Sequence, residues 1–230
     1  MEQTPFQVTH DDLAQNPEHR CPSVLILDIS GSMQGEPIQQ LQEGVAVYRD
    51  SLFGDSLARK RVEVAIVTFG GSVEVVQSFA TADNFSAPTL SSRGDTPMGE
   101  AAVAALKLLA DRKVEYRNAG IQYYRPWVFL ITDGGPTDVS SHHWTEAKEQ
   151  IKQGEAGKKF SFFCVGVEGA DMVRLTELNP ARQPLKLTGL EFKKLFQWLS
   201  SSQQAVSKSN PGEAVSLVNP TAGPSGWATV

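Results

Sequence analysis

Residues 23–40 read SVLILDISGSMQGEPIQQ. Four consecutive apolar residues, Val24 to Leu27, run without polar alternation, which is the pattern of a short strand covered on both faces. The run stops at Asp28. Two serines spaced by two, Ser30 and Ser32, then surround Gly31, and Gly-Glu-Pro follows with Pro37 suited to the first turn of a helix. Asp28 and the serines have three readings at this point: helix caps, a phosphate or nucleophile turn, or one part of a metal site.

The same alternation continues outward. Ile38, Leu41, Val45, Tyr48 and Leu52 recur every three or four residues, which marks a helix over 36–53. VEVAIVTF (62–69) reads as a second strand. Gly70-Gly71 offers a hairpin turn into SVEVVQSF (72–79), whose alternation suits an exposed antiparallel edge strand. A helix is expected over 96–116, a surface excursion over 117–125, and a strand in PWVFLITD (126–133). Then follow a polar helix near 142–153, a strand at 160–167, a short helix near 171–178 and a last strand in PLKLT (184–188). Thr188-x-x-Glu191 reads as a capping box opening a final helix that carries Phe192, Leu195, Phe196 and Leu199 on one face.

Strands alternating with helices predict an α/β fold, a doubly wound, Rossmann-like and mostly parallel sheet with one antiparallel edge strand and helices on both faces. The expected organisation is an extended lead-in over 1–20, a domain over 21–204 and a flexible tail over 205–230, where Ser, Gln, Asn, Pro and Gly dominate. The hydrophobic fraction of 40% is enough for a substantial core, and the net charge of -5, without a basic run, argues against nucleic-acid binding. Cys21 and Cys164 lie beside or within apolar runs and read as reduced core residues. The first 21 residues have neither the basic nor the apolar region of a signal peptide, and no apolar stretch approaches the ~18 residues of a membrane span. A cytoplasmic setting is the expectation.

In a doubly wound sheet, ligands sit at the carboxyl ends of the strands. That rule joins Asp28, Ser30 and Ser32 to two distant residues. Thr96 stands where a loop enters a helix, and Asp133 ends another central strand. Three hydroxyls and two carboxylates form an all-oxygen set suited to a hard cation, Mg2+ first, with Mn2+ or Ca2+ as alternatives. Neutral hydroxyl ligands quench little of a divalent charge, so the ion stays electrophilic toward an external carboxylate.

These five residues, in this order and at these strand ends, resemble the metal-ion-dependent adhesion site (MIDAS) of von Willebrand factor type A (VWA) domains, Asp-x-Ser-x-Ser followed by a distant Thr and a distant Asp. The resemblance spans about 22–200. It implies that Ser30, Ser32 and Thr96 coordinate the metal directly or through water, that Asp28 and Asp133 often act through water, and that an Asp or Glu of a partner protein completes the shell. SGSMQGEPI (30–38) and GDTPMGEA (94–101) are also similar to the bacterial tellurium-resistance-type, TerY-like branch. That likeness implies an intracellular stress-response or signalling role beside kinase, phosphatase or tellurium-resistance-type proteins; the charge and the lack of a long apolar stretch lead to no expected nucleic-acid or membrane partner.

Other signals compete less well. Arg93-Gly94-Asp95 spells an adhesion tripeptide, but Gly94 is more simply the residue that shapes the loop presenting Thr96. His142-His143 reads as exposed polar residues, since helix neighbours do not face one another. Trp127 and Trp198 read as core. Phe85, Met98 and Tyr123-Tyr124 read either as core or as an apolar rim around a partner site. Among enzyme readings, a phosphatase of the Asp-x-Asp type lacks its acid at Ser30, and Ser30, Asp133 and His142 lack the Gly-x-Ser-x-Gly elbow of a hydrolase. No dinucleotide or P-loop motif occurs. A metal-dependent phosphoesterase at the same site is the alternative function, and a scaffold whose oxygens only cap helices is a third.

Overall fold

A computed structural model describes residue 13, residues 15–222 and residues 226–229. Seven strands form one sheet, β1 (Cys21–Asp28), β2 (Val62–Gly70), β3 (Ser72–Thr81), β4 (Trp127–Thr132), β5 (Ser161–Gly166), β6 (Leu185–Leu187) and β7 (Ala228–Thr229), in the order β3-β2-β1-β4-β5-β6-β7. The five from β2 across to β6 are parallel, and β3 is the antiparallel edge that the Gly70-Gly71 hairpin predicted. Every residue of β1 and β2 is buried, because helices cover both faces.

Alternate residues of the strands feed two cores. Leu25, Leu27, Phe129 and Ile131 pack against α1 (Glu36–Gly54) and, near the chain's end, α6 (Phe192–Ser207), through Leu41, Val45, Phe192 and Phe196. Val24, Ile26, Val128 and Leu130 pack against α3 (Met98–Asn118), α4 (His142–Ala156) and α5 (Met172–Leu178). Burial stabilises each such side chain by about 1.5–3 kcal/mol. A one-turn helix, α2 (Ala58–Arg61), leads into β2. Cys21 and Cys164 are free, buried and in opposite cores, and burial raises both thiols, Cys164 to about 12.

Two expectations change. The tail over 205–230 is not free where it is described. Residues 205–207 belong to α6, and Trp227, fully buried, stands 5.6 Å from Trp198 while Ala228 and Thr229 pair with β6. A single apolar side chain large enough to fill the edge of the first core outweighs the polar composition around it. The capping box does not form either, since α6 begins at Phe192 with Glu191 as its cap, and Glu191 N–H donates to the Thr188 carbonyl rather than its hydroxyl. Most of the expected lead-in lies outside the described residues. Among the described residues no helix is long and apolar enough to cross a membrane.

Candidate metal centre

The strand order reverses between β1 and β4, which start from one another and diverge to opposite edges. Leu27 pairs with Ile131, so Asp28 and Thr132 end neighbouring strands at the same height. Thr132 Oγ1 donates to Asp28 Oδ2 at 2.5 Å, and Ser30 N donates to Asp28 Oδ1 at 2.7 Å. Both carboxylate oxygens are thus engaged and the side chain is fully buried. Burial raises the Asp28 carboxyl above its ordinary range, with help from the Asp133 charge, while the Ser30 and Thr132 hydrogen bonds oppose the shift.

Ser32 Oγ donates to Asp133 Oδ1 at 2.6 Å and lies 3.0 Å from Ser30 Oγ. With the Ser32 proton turned to Asp133, Ser30 is the donor of that pair. Thr96 arrives from a separate loop. Its backbone neighbours lie across the β1 and β2 ends: Arg93 N donates to Ile29 O (2.7 Å), Gly31 N to Gly94 O (2.9 Å) and Gly71 N to Asp95 O (2.9 Å). So close an approach needs glycine at 94, where φ is +65° and a Cβ would stand 2.4 Å from Gly71 Cα. From the β4 side, Thr137 Oγ1 accepts Thr96 N at 3.2 Å and Thr137 N donates to Thr96 O at 3.0 Å.

The five residues expected from the sequence therefore meet. A Cβ placed on Gly134 would stand 3.6 Å from Ser32 Oγ and 3.8 Å from Thr96 Oγ1, which sets both oxygens around one small gap. Thr96 is 6% exposed, and among the described residues its hydroxyl makes no hydrogen bond while its backbone makes several. The donors are oxygen only. Among the described residues no group of three or more His, Cys, Asp and Glu is placed to hold a metal; here two carboxylates are supplemented by hydroxyls.

Three supporting residues were not anticipated. Thr132 orients Asp28, Thr137 clamps Thr96, and Asp138 accepts Gly99 N and Glu100 N at the start of α3. Thr132 and Asp28 were detectable as two polar residues closing adjacent apolar runs. Gly31 has an ordinary φ, so of the two loop glycines only Gly35, at φ +93°, needs its freedom. The apolar rim fails as a reading for Phe85 and Met98, which are core, and for Tyr124, whose hydroxyl is bonded to the Ser209 carbonyl. The His142 and His143 rings do approach, with centroids 3.8 Å apart, at the exposed start of α4.

The fold has solved relatives. The pilus adhesin SpaC of Lactobacillus rhamnosus GG, in an open conformation, aligns with TM-score 0.60 at 16% identity over 83% of this chain and 31% of its own. Manganese-loaded TRAP protein of Plasmodium vivax aligns with TM-score 0.52 at 20% identity over 71% and 64%. Proximal thread matrix protein 1 of the mussel byssus, with a zinc-occupied MIDAS motif, aligns with TM-score 0.51 at 15% identity over 84% and 47%. The chain thus spans less than two thirds of each of these proteins. No curated protein matches the sequence. The family model of the von Willebrand factor type A domain matches residues 24–188, and the chain belongs to that family.

Proposed function

We propose that this VWA domain is a divalent-cation-dependent protein-interaction module of the MIDAS type, which binds an acidic residue of a partner. The observation that carries the reading is the convergence of Thr96 Oγ1 and Ser32 Oγ around Gly134, beside the Ser30–Ser32–Asp133 chain of oxygens. Two buried carboxylates near one another, Asp28 and Asp133, are unfavourable together; a cation held among these oxygens would offset that repulsion. Ser30, Ser32 and Thr96 would hold the ion, with Asp28 and Asp133 ligating it or fixing its shell. The ion would supply an electrophilic position for a carboxylate.

The residues' own work is positioning. Asp28, held on both oxygens, orients the serine loop through Ser30 N. Those same bonds disfavour the phosphoesterase alternative, because a nucleophilic Asp28 would have to surrender one of them. Mg2+ is the proposed resident ion, with Mn2+ or Ca2+ as substitutes; the manganese- and zinc-loaded relatives support a divalent ion in general. The wording of SGSMQGEPI and GDTPMGEA supports the TerY-like branch, a cytoplasmic setting and partners of the kinase, phosphatase or tellurium-resistance type. Titration calorimetry with Mg2+ and Mn2+ tests the reading. Wild type should bind and Ser30→Ala/Ser32→Ala should not; equal binding by both would sink the assignment.

A further inference from the structure

The loops that frame the cluster carry one sign of charge. Segments 28–36, 91–100, 133–141 and 167–172 contain eight carboxylates and a single guanidinium, Arg93. Arg93 is already ion-paired with Glu74 of the edge strand β3. Asp28 and Asp133 are the buried pair at the centre. Around them Glu36, Asp95, Glu100, Glu168 and Asp171 are all exposed.

Their placement follows from the fold. Glu36 opens α1 and Glu100 lies in the first turn of α3. Asp95 immediately precedes Thr96 on the strap that crosses the β1 and β2 ends. Glu168 and Asp171 follow β5, where a Cβ on Gly169 would stand 3.0 Å from Asp133 O and one on Gly135 would stand 3.5 Å from Asp171 Cβ.

A divalent ion at the centre would be matched by Asp28 and Asp133 alone, so the rim would remain negative. A carboxylate approaching that ion would be attracted at contact and repelled on the way in. We infer that the partner segment presents its metal-seeking Asp or Glu between basic residues, whose ammonium or guanidinium groups face Glu36, Asp95, Glu168 and Asp171. This rests on the metal-site reading above, whose own support, the convergence of Thr96 Oγ1 and Ser32 Oγ around Gly134, is independent of the rim. Complementary rim charge acts on encounter rate and partner choice more than on the central contact, and salt screens it.

The test uses three labelled peptides and fluorescence anisotropy in saturating Mg2+: Lys-Lys-Glu-Lys-Lys, Ser-Ser-Glu-Ser-Ser and Lys-Lys-Gln-Lys-Lys. At about 10 mM salt the lysine-flanked Glu peptide should bind at least about tenfold more tightly than the serine-flanked one, the lower end of what electrostatic steering supplies. That margin should shrink at about 150 mM, where the Debye length is about 8 Å. Asp95→Lys/Glu168→Lys should abolish the preference, and the milder Asp95→Asn/Glu168→Gln should halve its logarithm. Equal affinity for the two Glu peptides, a preference that survives charge reversal, or no binding of either would overturn the rim's role. Binding of the Gln peptide as tight as that of its Glu counterpart, or binding unaffected by EDTA, would instead overturn the metal reading while leaving the charge selection standing.

Discussion

Gly94→Ala separates the strap that carries Thr96 from the rest of the fold. Gly94 sits at φ +65°, and the new Cβ would stand 2.4 Å from Gly71 Cα, 2.5 Å from Gly71 N and 3.1 Å from Gly70 C. All three are backbone atoms, so no side chain can swing away. The left-handed backbone costs an alanine about 1–2 kcal/mol. Pushing the loops apart also weakens the Gly31 N to Gly94 O and Gly71 N to Asp95 O hydrogen bonds, each contributing about 0.5–1.5 kcal/mol. Together these give a loss of about 3 kcal/mol, which at a urea m-value of about 3 kcal/mol/M lowers the midpoint by about 1 M. The control is Gly35→Ala. Gly35 has φ +93° with nothing within 4 Å of its Cβ position, so strain alone, about 1–2 kcal/mol, should remain. Urea denaturation followed by circular dichroism measures both. Because the strap positions Thr96, Gly94→Ala should also weaken Mg2+ binding by about tenfold or more, in the range seen when residues supporting a ligand are lost, whereas Gly35→Ala should change it little. Equal midpoints for the two variants would refute the close-approach argument. Full destabilisation with unchanged Mg2+ affinity would refute the strap's part in the site.

Two further outcomes are expected. Trp227→Ala should destabilise the protein by about 3–5 kcal/mol, because the indole is fully buried between β6 and Trp198; a loss below about 1 kcal/mol in urea would return the tail to the free segment its composition suggests. Burial works against ionisation of Glu155, but the Phe162 N–H and the Arg182 and Arg125 guanidinium groups prevail and hold its carboxyl below the ordinary value of 4.5. A depressed carboxylate stabilises the fold above that value, and this stability is lost as pH falls through the depressed one. Melting temperature below about pH 4.5 should therefore fall less steeply for Glu155→Gln than for wild type, and parallel acid limbs would rule the contribution out.

The main strands and helices were legible because their signals are local. The unbroken run Val24 to Leu27 could be buried on both faces only in a sheet covered twice, and the spacing of Leu41, Val45 and Tyr48 had one solution as a helix face. What escaped depended on contacts distant in sequence. Glu63, in a strand that otherwise reads as apolar, is buried at 1% exposure because Arg20, Arg112 and Tyr116 all donate to it, and none of the three is near it in sequence. Trp227 was hidden for the opposite reason. One residue decides where the tail goes, and a composition average over the twenty-six residues from 205 to 230 dilutes it. The apolar rim failed because Phe85 and Met98 lie near loops in sequence while their side chains point into the cores.

The site combines both kinds of legibility. Its five oxygen-bearing residues could be named from strand ends, but the reason they converge is a property of the whole sheet. Asp28 and Thr132 meet because β1 and β4 are parallel neighbours with Leu27 opposite Ile131. Thr96 joins them only because three glycines at 70, 71 and 94 allow one backbone to lie on another. No fragment of the chain contains these conditions together, so the gap between Ser32 Oγ and Thr96 Oγ1 exists only in the folded domain. An ion bound there must bind the native state and not the unfolded one, and its binding energy is then folding energy as well. The unfavourable ionisation of Asp28, buried beside the Asp133 charge, is a local cost that the rest of the sheet sustains and that a cation held there would relieve.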